Sequence, residues 1–434
     1  MVAGTVGQAA RAPQQMAWQN PNLRLYFGGQ IISMIGTWMQ QMALSWLAYR
    51  LTNSLTILGL MAFMTQAPAF FVTPFAGIVT DRVQKHRLVI ITQALAMVQD
   101  GLLAWLTLAG HPQIWQLMIL GAFAGLINAF DLPSRQTFLV EMLDDKSLLP
   151  NAIATNSSIV TLTRLIGPTV AGIFIAKTGE GMCFLINALS YIAVIGALLM
   201  IRTNAKVRER SGKSVMEELK EGFSYAFRFR PLRSLILLMA MISLVGMPYS
   251  TLLPAFAKDV FHGDATTMGY LTAAAGVGSL AGALFLASRK GVLGLGRWIV
   301  IACSTFGLGL FGFGFCHTLW PAMFFLVLTG FGGMVQMASC NTLIQTIVDE
   351  DKRGRVMSIY TMAFVGLAPF GSLMAGALAA RIGTSETVLI SGLLSLCLAA
   401  SFASKLRLIR QDARPIYIER GILSAERELK VMNS

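Results

Sequence analysis

Residues 77–87 read GIVTDRVQKHR, with one acid (Asp81), three strong bases (Arg82, Lys85, Arg87) and His86 packed between two apolar runs. Upstream, 56–80 carries no charged residue; downstream, 88–109 carries only Asp100. Each flank is long enough to cross a bilayer, which takes about 20 residues. The charged stretch therefore reads as the turn between two membrane helices.

The same alternation continues along the chain. Apolar runs at 25–49, 56–80, 88–109, 114–134, 152–176, 182–201, 234–257, 267–288, 297–316, 320–345, 356–380 and 386–404 make twelve candidate spans. Of the 434 residues, 55% are hydrophobic and 13% charged, against about 25% charged in soluble domains. No short apolar core with a small-residue cleavage site precedes the first run, so it is expected to stay in the mature protein. Cys183, Cys303, Cys316, Cys340 and Cys397 lie far apart without metal-ligand spacing and read as packing residues, so no metal is expected.

The net charge of +13 is explained by its distribution. Of the 34 Lys and Arg, only Arg50, Lys177, Lys258 and Arg381 follow odd-numbered spans, and Arg164 lies inside one. All the others sit in the tails, in the even-numbered loops or at helix entries, which places both termini and those loops on the cytoplasmic side. The excess is a topology signal, and no nucleic-acid partner is implied.

The longest polar interruption, 202–230, falls near the middle. Within it, SVMEELKEGFSYAFRF spaces Val215, Leu219, Phe223 and Ala226 as one face of an amphipathic helix, expected at the membrane surface. The halves on either side look alike: Pro150–Gly172 aligns with Gly354–Gly376, Gly167 falling on Gly371, and both end in Ala-Gly. A repeat of six helices, with the substrate path between the halves, is the organisation expected of a secondary transporter. The predicted divisions are 1–201 (first bundle), 202–232 (linker), 233–405 (second bundle) and 406–434 (tail).

Several stretches carry a resemblance to a known superfamily. GTWMQQMALSWLAYRLTNSLTILGL (36–60), FDLPSRQTFLVEML (130–143), NAIATNSSIVTLTRLIGPTVAG (151–172) and RGRVMSIYTMAFVGLAPFGSLMAGALA (353–379) look like the branch of the major facilitator superfamily that includes the enterobactin exporter and macrolide efflux proteins. Residues 77–87 resemble its loop 2–3 signature: Gly77, Asp81, Arg82 and Arg87 match, while Gln84 replaces the second glycine and His86 a usual base. Gly167-Pro168 with Ala171-Gly172 resembles the helix 5 signature of its exporters, where proline kinks the helix and small residues permit close packing. Ala171 stands where that signature usually has glycine.

The resemblance makes Asp81 a gate residue, its carboxylate accepting backbone N–H groups at the start of helix 11, near Arg355–Ser358. Arg353 and Arg355 belong to the same gate. Asp131, Arg135 and Glu141 cluster near the end of helix 4, where Arg135 is expected to pair with Asp81 or Glu141.

Ionisable groups at membrane depth are functional candidates. Asp100 and Arg164 sit at similar depth, so they are expected either to pair or to leave Asp100 free as a proton carrier, with Asp131 as a second carrier. Gln30, Ser33, Thr37 and Gln41 form a polar stripe on helix 1. By family analogy helices 1, 4, 7 and 10 line the cavity, which adds Asn128, Ser243, Tyr249, Gln336, Asn341 and Gln345. SGKS at 211–214 is no phosphate-binding loop, because Val207 stands where its first glycine belongs. No nucleophile elbow or zinc pattern occurs, and His111 and His317 open short loops.

The fold class is thus an all-α membrane protein of twelve transmembrane helices in two pseudo-symmetric six-helix bundles. The expected function is proton-coupled export of small amphipathic or lipophilic molecules by alternating access, from a monomer in the inner membrane, without a cofactor. Transport of a lipid, metal ion or nutrient on the same fold, or a non-transporting sensor, are the alternatives; an intramembrane enzyme lacks its chemistry. In a cysteine-free background, single cysteines at Ser211 and Gly263 should react with an impermeant thiol reagent from opposite sides. Labelling of both from outside intact cells would refute the topology.

Overall fold

The computed structural model describes residues 17–143, 146–201, 215–289 and 291–423; the side chains of 17, 74, 77–79, 81, 82, 146 and 215–220 lie outside that description. Every element among the described residues is helical, as hydrocarbon requires of a chain whose N–H and C=O groups find no water. In order these are α1 (Pro21–Thr52), α2 (Leu55–Arg82), α3 (Lys85–Leu108), α4 (Ile114–Glu141), α5 (Leu149–Thr178), α6 (Glu180–Met200), α7 (Val215–Arg228), α8 (Arg230–Met241) and α9 (Tyr249–Ala255). There follow α10 (Ala265–Ala287), α11 (Leu295–Gly314), α12 (Leu319–Ile347), α13 (Arg353–Val365), α14 (Ala368–Ile382) and α15 (Thr384–Glu419).

Among the described residues, eleven helical segments are long and apolar enough to span a membrane, with α8–α9 counted as Arg230–Val260 and α13–α14 as Arg353–Ile382. The 32-residue α1, interrupted by Gln30, Gln40 and Gln41, is not among them. The last helix also runs past its expected end near 404, through the basic tail to Glu419.

Local chemistry sets the ends. Asn20 caps α1 by accepting from the N–H groups of Asn22 (2.9 Å) and Leu23 (3.2 Å), and Pro21 follows where no N–H is needed. Asn53, at φ 48°, ends it in the left-handed region. Asp264 caps α10 through Thr266 N–H (2.9 Å) and Thr267 N–H (3.2 Å). Gly179 turns α5 into α6 at φ 82°, and Gly383 turns α14 into α15 at φ 103°. These are matching places in the two halves, and both need the φ that glycine tolerates.

The span Arg230–Val260 is broken by single π-turns at Ile242–Gly246 and Phe256–Val260, on either side of α9 with its Pro254. α13 and α14 are interrupted at Gly366–Leu367, before Pro369. Ser243 Oγ donates to the Phe364 carbonyl beside that break. α5, by contrast, continues through Pro168.

Helix packing repeats itself. α2 lies on α4, α3 on α4, and α3 on α6; α10 lies on α12, α11 on α12, and α11 on α15. The main contacts between the two groups are α2 on α14 and α5 on α10, and each is the repeat counterpart of the other. Small residues make both possible. A Cβ at Gly59 would lie 2.7 Å from Ser372 O and 3.0 Å from Gly376 Cα, and one at Gly172 would lie 2.8 Å from Ala265 O and 3.2 Å from Gly269 Cα.

α7 packs against α13 and α8, where the sequence suggested a helix on the membrane surface. Ala226 is buried, while Phe223 remains half exposed and stacks on Phe227 at 4.2 Å. Val215 and Leu219 fall among the side chains outside the description.

Gly376→Val should force α14 away from α2, because the new side chain meets backbone that cannot rotate aside. Spin labels at Thr52 and Arg381 should then report a longer distance than in the parent protein. An unchanged distance would show that the crossing tolerates a side chain.

Candidate functional site

The end of the molecule where α2 meets α3 is called here the basic end, and the end where α1 meets α2 the opposite end. Near the opposite end the two helix groups touch tightly. Beyond the Gly59–Gly376 crossing, Phe370 of α14 packs edge-on against Phe63 (5.4 Å), Phe70 (6.0 Å) and Phe71 (6.4 Å) of α2. Tyr49 donates to the Asp259 carboxylate, and Lys258 Nζ donates to Asn53 Oδ1 at 2.5 Å while lying 5.8 Å from the centre of the Tyr49 ring. Toward the basic end α2 leaves its partner: Phe75 is 66% exposed, and α13 packs chiefly on α7 and α8. The main described contacts between the groups thus gather toward the opposite end.

The sequence did not single out Tyr49, Asn53, Lys258 or Asp259. Its one available signal was an isolated Lys-Asp pair in an otherwise charge-poor set of loops.

The expected gate contact falls partly beyond view, since the side chains of Gly77, Asp81 and Arg82 lie outside the described residues. At the start of α13 the side chains are paired locally and with α7: Arg355 with Glu221 of α7 at 2.9 Å, and Arg353 with Glu350 at 3.7 Å. Tyr225 of α7 donates to Asp349 at 3.0 Å, and Lys352 lies 4.5 Å from its ring centre. Burial, followed by that hydrogen bond to Asp349, pushes the Tyr225 phenol up from its ordinary range. Arg87 is exposed.

Arg135 pairs with Asp131, its Nε 2.6 Å from Oδ2, a partner the sequence did not suggest for it. One turn of helix separates them, so the pair is local. Asp131 Oδ1 accepts from Thr92 Oγ1 (2.6 Å) and Gln93 Nε2 (2.8 Å) of α3. The site is buried well inside α4. Glu141 instead meets Lys85 at 3.5 Å.

Asp100 and Arg164 do not meet. Asp100 is wholly buried between α3, α6 and α1, where Asn187 Nδ2 donates to its Oδ2. Asn187 Nδ2 also lies 3.4 Å from Gln40 Oε1, and Gln40 Nε2 donates to Gln99 Oε1 at 3.3 Å. Asp100 Oδ1 has no partner among the described residues. Arg164 is exposed, its guanidinium 5.7 Å from the centre of the Trp38 ring. Equal depth did not imply a shared face, because helix rotation decides which neighbours a side chain meets.

The cavity candidates divide. Gln41, Asn128 and Gln345 are exposed, and Thr37, Tyr249 and Asn341 are half-buried. Gln30 and Ser33 are buried, and Thr37 Oγ1 donates back to the Ser33 carbonyl at 2.9 Å. Ser243 is committed to Phe364, and Gln345 Nε2 donates to Asn341 Oδ1 at 2.5 Å. Gln336 is buried, with neither amide atom partnered among the described residues. Gly167 packs on Trp38, and Pro168 and Gly172 face α10. All five cysteines are free.

A helical, multi-pass membrane protein built of repeated helix groups has the architecture of a transporter. Residues 17–421 match the family described as transmembrane secretion effector, and the chain belongs to that family of the major facilitator superfamily. It is 27% identical over 383 residues to the staphyloferrin A transporter of Staphylococcus aureus, covering 87% of this chain and 95% of that protein. It is 24% identical over 400 residues to macrolide efflux protein A of Streptococcus pyogenes (88% and 96% covered). Among solved structures, a bacterial homologue of the iron transporter ferroportin in an inward-facing state superposes with TM-score 0.70 at 18% identity, over 90% of this chain and 100% of that one. The nucleoside transporter NupG does so with TM-score 0.69 at 15% identity, over 89% and 98%.

Asp131→Asn should destabilise the protein by about 3 kcal/mol or more, since it leaves the Arg135 cation buried without its counter-charge. Adding Arg135→Gln should recover much of that loss, read as the thermal unfolding midpoint in detergent. Strictly additive losses in the double variant would show that the two groups act independently.

Proposed function

We propose that this chain is a twelve-helix secondary exporter of small amphipathic or lipophilic molecules, working by alternating access and driven by proton exchange. In this reading α1 completes the eleven apolar spans. Residues 1–201 and 233–405 form two pseudo-symmetric six-helix bundles joined by the 202–232 linker, with 406–434 as a tail. The basic end and both termini are cytoplasmic, the membrane is the bacterial inner membrane, and the unit is a monomer.

The observation that carries the reading is the exchange of counterparts between the halves. Because α2–α14 and α5–α10 are the same contact seen from either repeat, the halves can rock about them as rigid bodies and open a central space to one side at a time. With the opposite end closed, the space between the halves opens to the basic, cytoplasmic side, where an export substrate is collected. The efflux and siderophore functions named for the relatives favour small organic molecules as cargo.

For the proton, Asp100 is the first candidate. Both oxygens of Asp131 are taken by Thr92, Gln93 and Arg135, whereas Asp100 keeps one oxygen without a partner among the described residues. Its position between three helices of one half links any change at that carboxyl to their packing. Asp81 remains a gate proposal, to be made with the start of α13 when the cytoplasmic side closes.

Compounds that raise the unfolding temperature of the purified protein supply substrates for a flux assay. Proteoliposomes acidic inside should accumulate such a compound, and collapsing the gradient should stop it. Asp100→Asn should abolish accumulation while leaving exchange between equal pools. Gradient-independent accumulation by the parent protein would rule out proton coupling, and full accumulation by Asp100→Asn would remove that carboxyl as carrier.

A further inference from the structure

Arg164 has no carboxylate partner among the described residues, although it lies about 22 Å along α5 from Leu149, near the middle of the span. A guanidinium turned to lipid at that depth is strongly disfavoured. Its neighbours along the helix show where it points. Thr163 and Gly167 face α1, against Met34 and Trp38, while Leu165, Pro168 and Gly172 face α10, against Gly276 and Gly269. At ~100° per residue, Arg164 falls between Gly167 and Pro168, within the arc bounded by the two neighbours. Leu162, Ile166 and Ile173, all exposed, lie on the far side of α5 and present the lipid face.

Arg164 therefore projects into the wedge between the halves. Trp38 of α1 underlies the guanidinium, and α9 of the other half, which opens with Tyr249, packs on both α1 and α10, the two helices that flank it. The acids that share its depth are turned away: Asp100 is enclosed by Asn187 and Gln40, and Asp131 by Arg135, Thr92 and Gln93.

We propose that Arg164, with Trp38 and Tyr249, forms an anion-recognition site in the central cavity, and that the transported molecule carries a carboxylate or similar oxyanion beside an aromatic or apolar body. A guanidinium presents a planar fork that suits an oxyanion, and its stacking on Trp38 fixes the plane while leaving its N–H edge open. An apolar body fits beside it against Trp38 and Tyr249. The proposal rests on the exporter reading for its transport half, but the binding site stands on geometry alone.

Carboxyfluorescein and rhodamine 123 share a ring system and differ in the sign of their charge, so they test the site directly. Full-length protein in phosphatidylcholine nanodiscs is titrated with each dye, with anisotropy read against empty nanodiscs. The parent protein should bind carboxyfluorescein about tenfold more tightly than rhodamine 123. Arg164→Gln should lose about tenfold of the anionic dye's affinity, and Arg164→Lys should keep most of the preference. Should Arg164→Gln fail to fold by circular dichroism, the parent protein's preference and the Arg164→Lys variant decide the matter.

A preference for rhodamine 123, no binding of either dye, or anionic binding unchanged in folded Arg164→Gln would overturn the site. Displacement of carboxyfluorescein by added phosphatidylglycerol would make it a lipid headgroup site and overturn it as a cargo site. If Arg164-dependent binding occurs but the dye is not carried across proteoliposome membranes, the exporter reading fails while the anion site survives. Transport of rhodamine 123 alone would have the reverse meaning.

Discussion

The two backbone crossings, Gly59 on Gly376 and Gly172 on Gly269, are the contacts on which the rest of the architecture depends. Helices in a bilayer gain little from hiding apolar surface from one another, since lipid is as apolar as they are. Association must come from close packing, and at these crossings even one methyl group would collide with backbone. The ring cluster of Phe63, Phe70, Phe71 and Phe370 extends the first crossing inward. Both crossings lie toward the same end, and there the two helix groups are held closest.

Burial separates the polar groups of the membrane region into two kinds. Asp100, Gln40, Gln99 and Asn187 are enclosed within one helix group and bonded to one another. Asp131, Arg135, Thr92 and Gln93 form a second enclosed cluster. A buried polar group without a partner is costly, so these clusters hold α1, α3, α4 and α6 in a single register. Arg164, Gln41 and Asn128 are exposed and take no part in that work. Groups of the first kind hold a half together; groups of the second kind leave that packing unchanged.

The spans, the repeat and the family were legible because they rest on quantities a sequence carries directly: run length, charge placement and spacing. Position along a helix was legible too, and Asp100 and Arg164 both fall well inside α3 and α5. Rotation was not. A difference of one residue turns a side chain by ~100°, so the expected pairing of these two depended on packing that no single helix records. Asn187, in the middle of the apolar α6, was overlooked because it stands alone in its own helix and finds its partners on α1 and α3. The π-turns around α9 were illegible for a similar reason, since they answer to neighbours such as Phe364 and to Pro248 and Pro254.

The two ends differ in what would have to be broken to move them. At the opposite end, helix backbones touch and aromatic rings interlock, contacts that no water replaces. At the basic end, Val356 and Ile359 of α13 are buried, but the charged start of the helix is tied by ion pairs: Arg355 to Glu221, with the Glu221 side chain 54% exposed, and Arg353 to Glu350, with the Glu350 side chain 89% exposed. Exposed ion pairs contribute roughly 0–1 kcal/mol each because water competes for both partners. These ties position α7 against α13 without locking it. The start of α13 can thus give up Glu221 at small cost, whereas separating α2 from α14 requires other contacts of comparable quality to form elsewhere.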